Sequence, residues 1–346
     1  MAIRRYTPSV LPQEIVEHII DILWDHASSL RACSLVARSW LPRSRYHLRR
    51  VVLLSDQDPD EKLLLFQTES TAPLVEQLTI QTETQAHWLK WFPKMIRTVE
   101  SLPRVSRLRI HSTCWDARLG DGYFRAQTHS LIQLTLDGVN FDSFATFTYV
   151  ISAFPHLECL SLMYVRWSAR LGPTRYEDWA DGSMLRLKTL RLGWVFSTLA
   201  GKLAEITEWL QRGRVAPVCI QSLALGVTIP NDDLLQEALL RLTPSLRNIH
   251  VVQRIHNIRS LVLSTLDSTL ADPRFVKLES VMITGVTYDT HLLNLAGDVQ
   301  DGHVREKLPM LTRRKMVRTR MRMRLHDPTW FEKLRPGELA LGEDLC

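Results

Sequence analysis

The side chains best equipped for chemistry in this sequence are arginines. Arg318, Arg320, Arg322 and Arg324 recur at every second position of Val317–Leu325, and a period of two puts them on one face of a strand. Arg107, Arg109, Arg191 and His250 occupy strand positions of the same sense in the repeat described below. Guanidinium groups gathered on a sheet face bind carboxylates or phosphates through paired hydrogen bonds. An acidic or phosphorylated protein partner is therefore one expectation for this face. The other, and the preferred one, is edge protection, because charge along a terminal strand stops it from templating aggregation. Trp167 and Trp194, just after two of the strands, are the aromatic candidates for contact with a partner. Trp115, Tyr164 and Phe196 are expected to pack between neighbouring loops.

Enzyme chemistry finds little support. The sequence contains no GxSxG, no P-loop, no GxGxxG after a strand and no HExxH. Asp56, Asp58 and Asp60 imitate the start of a calcium loop. That loop requires glycine at its sixth position and glutamate at its twelfth; here those positions hold Glu61 and Gln67. The histidines do not pair with cysteines or acids at metal-ligand spacing. Cys33, Cys159 and Cys219 lie in apolar periodic segments and read as core. The expectation is a chain with no catalytic residues, no metal and no cofactor. Five scattered cysteines, odd in number and without a CxxC, point to a reducing compartment, the cytosol or the nucleus. No apolar run approaches membrane-helix length, so no membrane partner is expected.

The net charge of +6 is unevenly spread. Residues 303–326 hold nine Lys or Arg against one acid, Glu306, a local +8 that leaves the remainder at −2. The basic character is thus a property of one segment. A nucleic-acid partner would want that stripe interleaved with aromatics; methionines stand there instead. Arg313-Arg314-Lys315 can also be read as a short import signal.

The elements that must position these residues form a repeat. An apolar-x-x-apolar-x-apolar pattern occurs nine times. Its first three copies are Leu48-Val51-Leu53, Val75-Leu78-Ile80 and Val105-Leu108-Ile110. Leu131-Leu134-Leu136, Leu157-Leu160-Leu162 and Leu187-Leu190-Leu192 follow, then Ile220-Leu223-Leu225, Leu246-Ile249-Val251 and Leu278-Val281-Ile283. A period of about 29 residues with one short strand per unit matches a leucine-rich repeat. The asparagine ladder of regular repeats is missing, so the units are of the irregular kind. Helical stripes separate the strands. One is Phe144, Phe147, Ile151 and Phe154, capped by Asp142 or Ser143. Leu199 to Leu210 and Leu234 to Leu242 supply two more, and Ile258, Leu261, Val262, Leu266 and Leu270 a fourth. Val304, Leu308, Leu311 and Met316 could add a helix broken or started by Pro309, and Trp330-Phe331 a last anchor.

Before the repeat stands Leu11–Arg49, a helical unit of two or three short helices. Pro12 and Glu14 open it. Ile15, Ile19, Ile20 and Leu23 recur at helical spacing. The polar break Asp25 to Ser29 ends that helix, Ser29 can cap the next, and Pro42 is expected to end the second. Leu30, Cys33, Val36, Ala37 and Trp40 mark the second helix. A piece of some forty residues cannot bury so many apolar side chains by itself, and an exposed apolar patch usually marks an interface. Val36 and Ala37 are expected to be internal.

The pattern LPxEIxxxIIxxL, a polar gap and LxxCSLVxRxW resemble an F-box, in the version common in large fungal F-box families. Leu11, Pro12, Glu14, Ile19, Leu23, Leu30, Cys33, Leu35, Val36 and Trp40 fall where the motif has them. The resemblance implies that this unit docks on the Skp adaptor of a cullin–RING ubiquitin ligase while the rest of the chain selects a protein substrate. The adaptor-facing residues are then Leu11, Pro12, Glu14, Ile15, Ile19, Ile20, Leu23, Leu30, Cys33, Leu35, Val36 and Trp40. The expected fold class is α/β: an all-helical F-box at 1–50, then at 51–346 an irregular leucine-rich-repeat solenoid, parallel strands inside and helices outside. The expected function is that of a non-catalytic substrate-recognition subunit of such a ligase. Two alternatives are a Skp-bound scaffold without a ligase role and, behind it, a nucleic-acid-associated factor using the basic segment.

Overall fold

The protein is described by a computed structural model, which covers residues 11–24, 26–55, 72–82, 99, 102–111, 114–115, 130–167, 186–193, 199–211, 220–227, 233–242, 245–254, 264–287, 304–306 and 308–323. Three helices come first: α1 (Gln13–Ile22), α2 (Ala27–Val36) and α3 (Leu41–Arg50). Pro12 holds the N-cap position of α1, φ −53° and ψ 141°, and Glu14 sits in the first turn, where a carboxylate suits the positive end of the helix dipole. Val16 and Ile20, one turn apart, bury against Leu30 of α2; Leu23, Cys33, Trp40 and Leu48 pack around them.

Two helix boundaries differ from those expected. Ser29 does not cap the second helix: α2 starts two residues earlier, after His26, with no side-chain cap. Nor does Pro42 end α2. That helix stops at Val36, and Pro42 stands in the first turn of α3, where its missing N–H would have had no partner within the helix. The last turn of α3 carries His47, Arg49 and Arg50, favourable at the negative end of the dipole. Asp21 ties α3 to α1. Arg43 donates from Nε and Nη2 to its two carboxylate oxygens at 2.6 and 2.7 Å, and His47 Nε2 lies 2.8 Å from Oδ1. The hydrogen-bonded Arg43 guanidinium, against the upward push of burial and with help from His47, holds the Asp21 carboxyl down at about 2.

The chain passes from α3 into β1 (Val51–Ser55) with no intervening loop. The strands that follow are β2 (Gln77–Gln81), β3 (Arg107–His111), β4 (Cys114–Trp115), β5 (Gln133–Asp137), β6 (Asn140–Phe141) and β7 (Cys159–Met163). They continue with β8 (Arg166–Trp167), β9 (Thr189–Gly193), β10 (Ser222–Val227), β11 (Asn248–Arg254), β12 (Ser280–Thr287) and β13 (Val317–Met323). Among the described residues ten of them form one sheet in the order β1-β2-β3-β5-β7-β9-β10-β11-β12-β13, every neighbouring pair parallel. The short strands β4, β6 and β8 make a second parallel sheet of their own.

The repeat pattern explains the register. Leu78, Leu108, Leu134, Leu160, Leu190, Leu223, Ile249 and Val281 stand opposite one another in successive strands, and so do Ile80, Ile110, Leu136, Leu162, Leu192, Leu225, Val251 and Ile283. All sixteen are 3% exposed or less. The first unit departs from the pattern. Leu48 belongs to α3, Val51 and Leu53 are exposed, and it is Val52 and Leu54 that align with Leu78 and Ile80 and are buried. Val51 to Leu54 is an unbroken apolar run, so alternation could not fix which pair faces inward, and a slip of one residue exchanges the two faces.

The remaining helices are α4 (Phe144–Ser152), α5 (Leu199–Gln211), α6 (Asp233–Leu242), α7 (Ser264–Leu270) and α8 (Pro309–Arg313). Ser143 caps α4, its Oγ accepting from the Thr146 N–H at 3.1 Å. Pro309 opens α8 rather than breaking it. Phe147, Val150, Ile151, Leu203, Ile206, Leu210, Leu239, Leu242, Leu266, Leu270 and Leu311 join the strand ladders in one continuous core. The expected stripe at Ile258, Leu261 and Val262 and the anchor at Trp330-Phe331 lie outside the described residues, as do Asp56, Asp58 and Asp60. The turns after β5 and β7 are equivalent, and both use the left-handed region: Gly138 at φ 67° and Tyr164 at φ 51°. Among the described residues no helix is long and apolar enough to cross a membrane.

Candidate functional site

Two surfaces gather the residues singled out in the sequence. On the helical unit, apolar side chains divide between two faces of α1. Val16 and Ile20 are sealed, at 2% and 0% exposed, whereas Ile15, Ile19 and Ile22 form an outward row at 48%, 38% and 63%. Leu11 (52%), Trp24, Leu35 (86%) and Val36 (63%) are exposed as well. The Gln13 side-chain amide donates to the Ser39 carbonyl at 3.4 Å, which brings the start of α1 beside the end of α2, where Leu35 and Val36 stand. Seven of the twelve large apolar side chains exposed among the described residues fall between Leu11 and Val36. Surface apolar residues are thus concentrated, and concentration is what separates an interaction face from ordinary scatter.

Several expected face residues turn inward. Ile20 and Leu30 are fully buried, and Leu23, Cys33 and Trp40 pack half-buried against them; these side chains build the unit. Val36, expected to be internal, is exposed, because α2 ends there and its last turn overhangs the small core. Pro12 and Glu14 are exposed. Val16, Ile22 and Trp24 were missed. The signal for the first two was present: Val16 precedes Ile20 by four residues, and Ile22 follows Ile15 and Ile19 by seven and three.

The second surface is the face of the large sheet opposite the ladders. Its central row, in register across all ten strands, is Leu53, Thr79, Arg109, Thr135, Ser161, Arg191, Ala224, His250, Met282 and Arg318. Arg109, Arg191, His250 and Arg318 therefore share one row, and among the described residues β13 is an edge strand. Arg320 and Arg322 take the same face by backbone register; Arg324 and Trp194 lie outside the described residues.

Burial sorts the residues of this face. Arg107 and Arg318 are exposed. Arg109 donates from Nη2 to Asp137 Oδ2 at 2.7 Å, with His111 Nε2 3.6 Å from the same oxygen. Arg191 and His250, expected to meet a partner, are 2% and 1% exposed. Sequence parity placed them on the correct face but carried no information about what lies over it. His250 Nε2 sits 2.8 Å from the Thr284 hydroxyl. Arg191 is different: its Nε and Nη2 are buried without a hydrogen-bond partner. Burial pushes the neighbouring Cys159 thiol up, which suits an inert core cysteine.

Trp167 is also drawn inward. Its ring stacks on Phe147 at 5.0 Å and lies 5.3 Å from Phe144, and its Nε1 donates to Glu205 Oε2 at 2.6 Å. In the small sheet Trp115, Phe141 and Trp167 stand opposite one another. Each follows the middle ladder residue of its repeat (Leu108, Leu134 and Leu160) by seven positions. For Phe141 and Trp167 that fixed offset was the legible sign of a packing role.

No protein-family model and no curated protein matches the chain. Among solved structures, a crystal structure of a Bacteroides fragilis protein is 12% identical, with a TM-score of 0.35, covering 79% of this chain and 74% of that one. A likeness so slight carries no argument about function.

Proposed function

We propose that the chain is a non-catalytic recognition subunit that binds a Skp-type adaptor through α1 and α2 and presents its repeat region to a protein target. On this reading the helical unit is an F-box, and the parallel sheet with its strand ladder is the inner wall of an irregular leucine-rich-repeat solenoid. The observation that carries it is the outward row Ile15, Ile19 and Ile22, with Leu11, Leu35 and Val36 at the same end. Covering one such side chain gains about 1.5–3 kcal/mol, and a contiguous cluster of them marks an interaction face. The motif resemblance supplies the adaptor's identity. Ubiquitin transfer would be performed by the cullin and RING subunits, this chain contributing proximity. Of the candidates for target contact whose side chains are described, Arg107 and Arg318 are on the accessible surface.

The test is capture of the full chain on purified Skp adaptor. Wild type should be retained. Leu11→Ala/Pro12→Ala and Ile15→Asp/Ile19→Asp should lose capture at least tenfold, while Val276→Ser, an exposed apolar residue elsewhere, should not. Equal recovery of all four proteins would reject the adaptor assignment. Failure of cullin to co-purify with an otherwise intact adaptor complex would favour the scaffold reading over the ligase reading.

A further inference from the structure

We infer that Arg191 binds a small oxyanion, such as phosphate, sulfate or a compact carboxylate, enclosed against the sheet face between Ser161 and Ala224. The first support is which donors lack an acceptor. Arg43 and Arg274 each grip a carboxylate with the same edge of the guanidinium, Nε to one oxygen and Nη2 to the other. In Arg191 those same two atoms have no acceptor, and they are buried. A two-oxygen acceptor is the group that satisfies both donors together. The second support is charge. A buried ion without a partner is strongly unfavourable, so a cation sealed to 2% calls for a counter-charge. The central row and the rows on either side of it hold, among the described residues, one carboxylate, Asp137, which is engaged by Arg109 at 2.7 Å. The third support is enclosure. Ser161, Ala224 and His250 in the same row are 1%, 0% and 1% exposed. Whatever fills the Arg191 edge is sealed in with it, which selects a small soluble anion over a side chain on a docked protein surface.

The experiment is a thermal-unfolding series on the full chain in chloride buffer at fixed ionic strength, with sodium phosphate, sulfate or citrate exchanged in. Native mass spectrometry of the purified protein accompanies it. Wild type should show a saturable rise in midpoint of at least about 2 °C with one or more of the three anions, or carry an anion adduct from purification. Arg191→Met should lose both signals, having no charge to compensate; Arg318→Gln, on the same face but exposed, should keep them. If Arg191→Met does not fold, Arg191→Lys serves instead, since an ammonium lacks the paired edge. Half-effect should then need about tenfold more anion. Indifference of wild type to all three anions with no adduct, or an undiminished response in the folded Arg191 variant, would overturn the inference. So would a response confined to acidic peptides, because a peptide cannot be enclosed in this way.

Discussion

The helical unit and the sheet use similar apolar residues to opposite effect. In the ladders, every inward residue from Leu78 to Ile283 is sealed at 3% or less. In α1, sealed and exposed residues stand side by side: Ile20 at 0% follows Ile19 at 38%. The cause is the number of neighbours. An interior strand is flanked by two others and backed by helices, so its whole inward face finds cover. Among the described residues α1 packs on α2 and α3, and a small unit can cover one stripe of a helix but not two. Apolar residues beyond that stripe are left over, and they define a face.

The comparison breaks if truncations in the two regions cost the same. Leu190→Ala, in the middle of the sheet, should lose about 2–5 kcal/mol of unfolding free energy by urea titration, the range for fully buried leucines. Ile20→Ala should fall near the lower end of that range, since a three-residue core relaxes more easily around a cavity. Ile19→Ala should cost no more than about 0.5 kcal/mol, as surface changes do, yet weaken adaptor capture. A loss of stability at Ile19 as large as at Ile20 would mean that the outward row is structural.

How much of this could be read in the sequence follows the same division. Eight of the nine repeat units showed their inward pair correctly, because polar residues at positions such as Thr79, Arg109 and Ser161 break the apolar run and fix the parity. The first unit did not, because Val51 to Leu54 contains no such break. The helical stripe at Ile15, Ile19, Ile20 and Leu23 was visible as a helix. Its division into two faces was not, since adjacent residues such as Ile19 and Ile20 are 100° apart and periodicity alone does not say where the neighbouring helix lies. The buried state of Arg191 was illegible for a related reason: charge and alternation place a side chain on a face, and only tertiary structure closes that face.

A smaller effect is expected at the paired turns. Tyr164 holds φ 51°, where the equivalent turn has Gly138, and a residue with a Cβ is disfavoured there by about 1–2 kcal/mol. Tyr164→Gly should relieve that strain while losing the contacts of a half-buried ring and loosening the unfolded chain. The net expectation is a gain of about 0.5–1 kcal/mol. A loss instead would show that the ring's contacts between neighbouring loops outweigh the backbone cost.

A small effect of charge rather than packing is expected within the helical unit at Asp21. Its carboxyl is held at about 2, chiefly by the hydrogen-bonded Arg43, whereas an aspartate in an unfolded chain titrates near about 4. The folded form therefore binds the proton less readily than the unfolded form. The stabilisation is fully present above the unfolded value and is lost as pH falls from about 4 to about 2. Because the side chain is 37% exposed, solvent screens the pair and its contribution should stay below about 1 kcal/mol. Asp21→Asn should raise amide exchange in α1 and α3 at pH 7 and leave β9 and β10 unchanged. The difference from wild type should shrink through the same acid window and weaken in about 1 M salt. A mutant effect that persists unchanged at pH 2 would assign the role of Asp21 to packing rather than charge. An effect that spread into β9 and β10 would show that the two regions unfold as one.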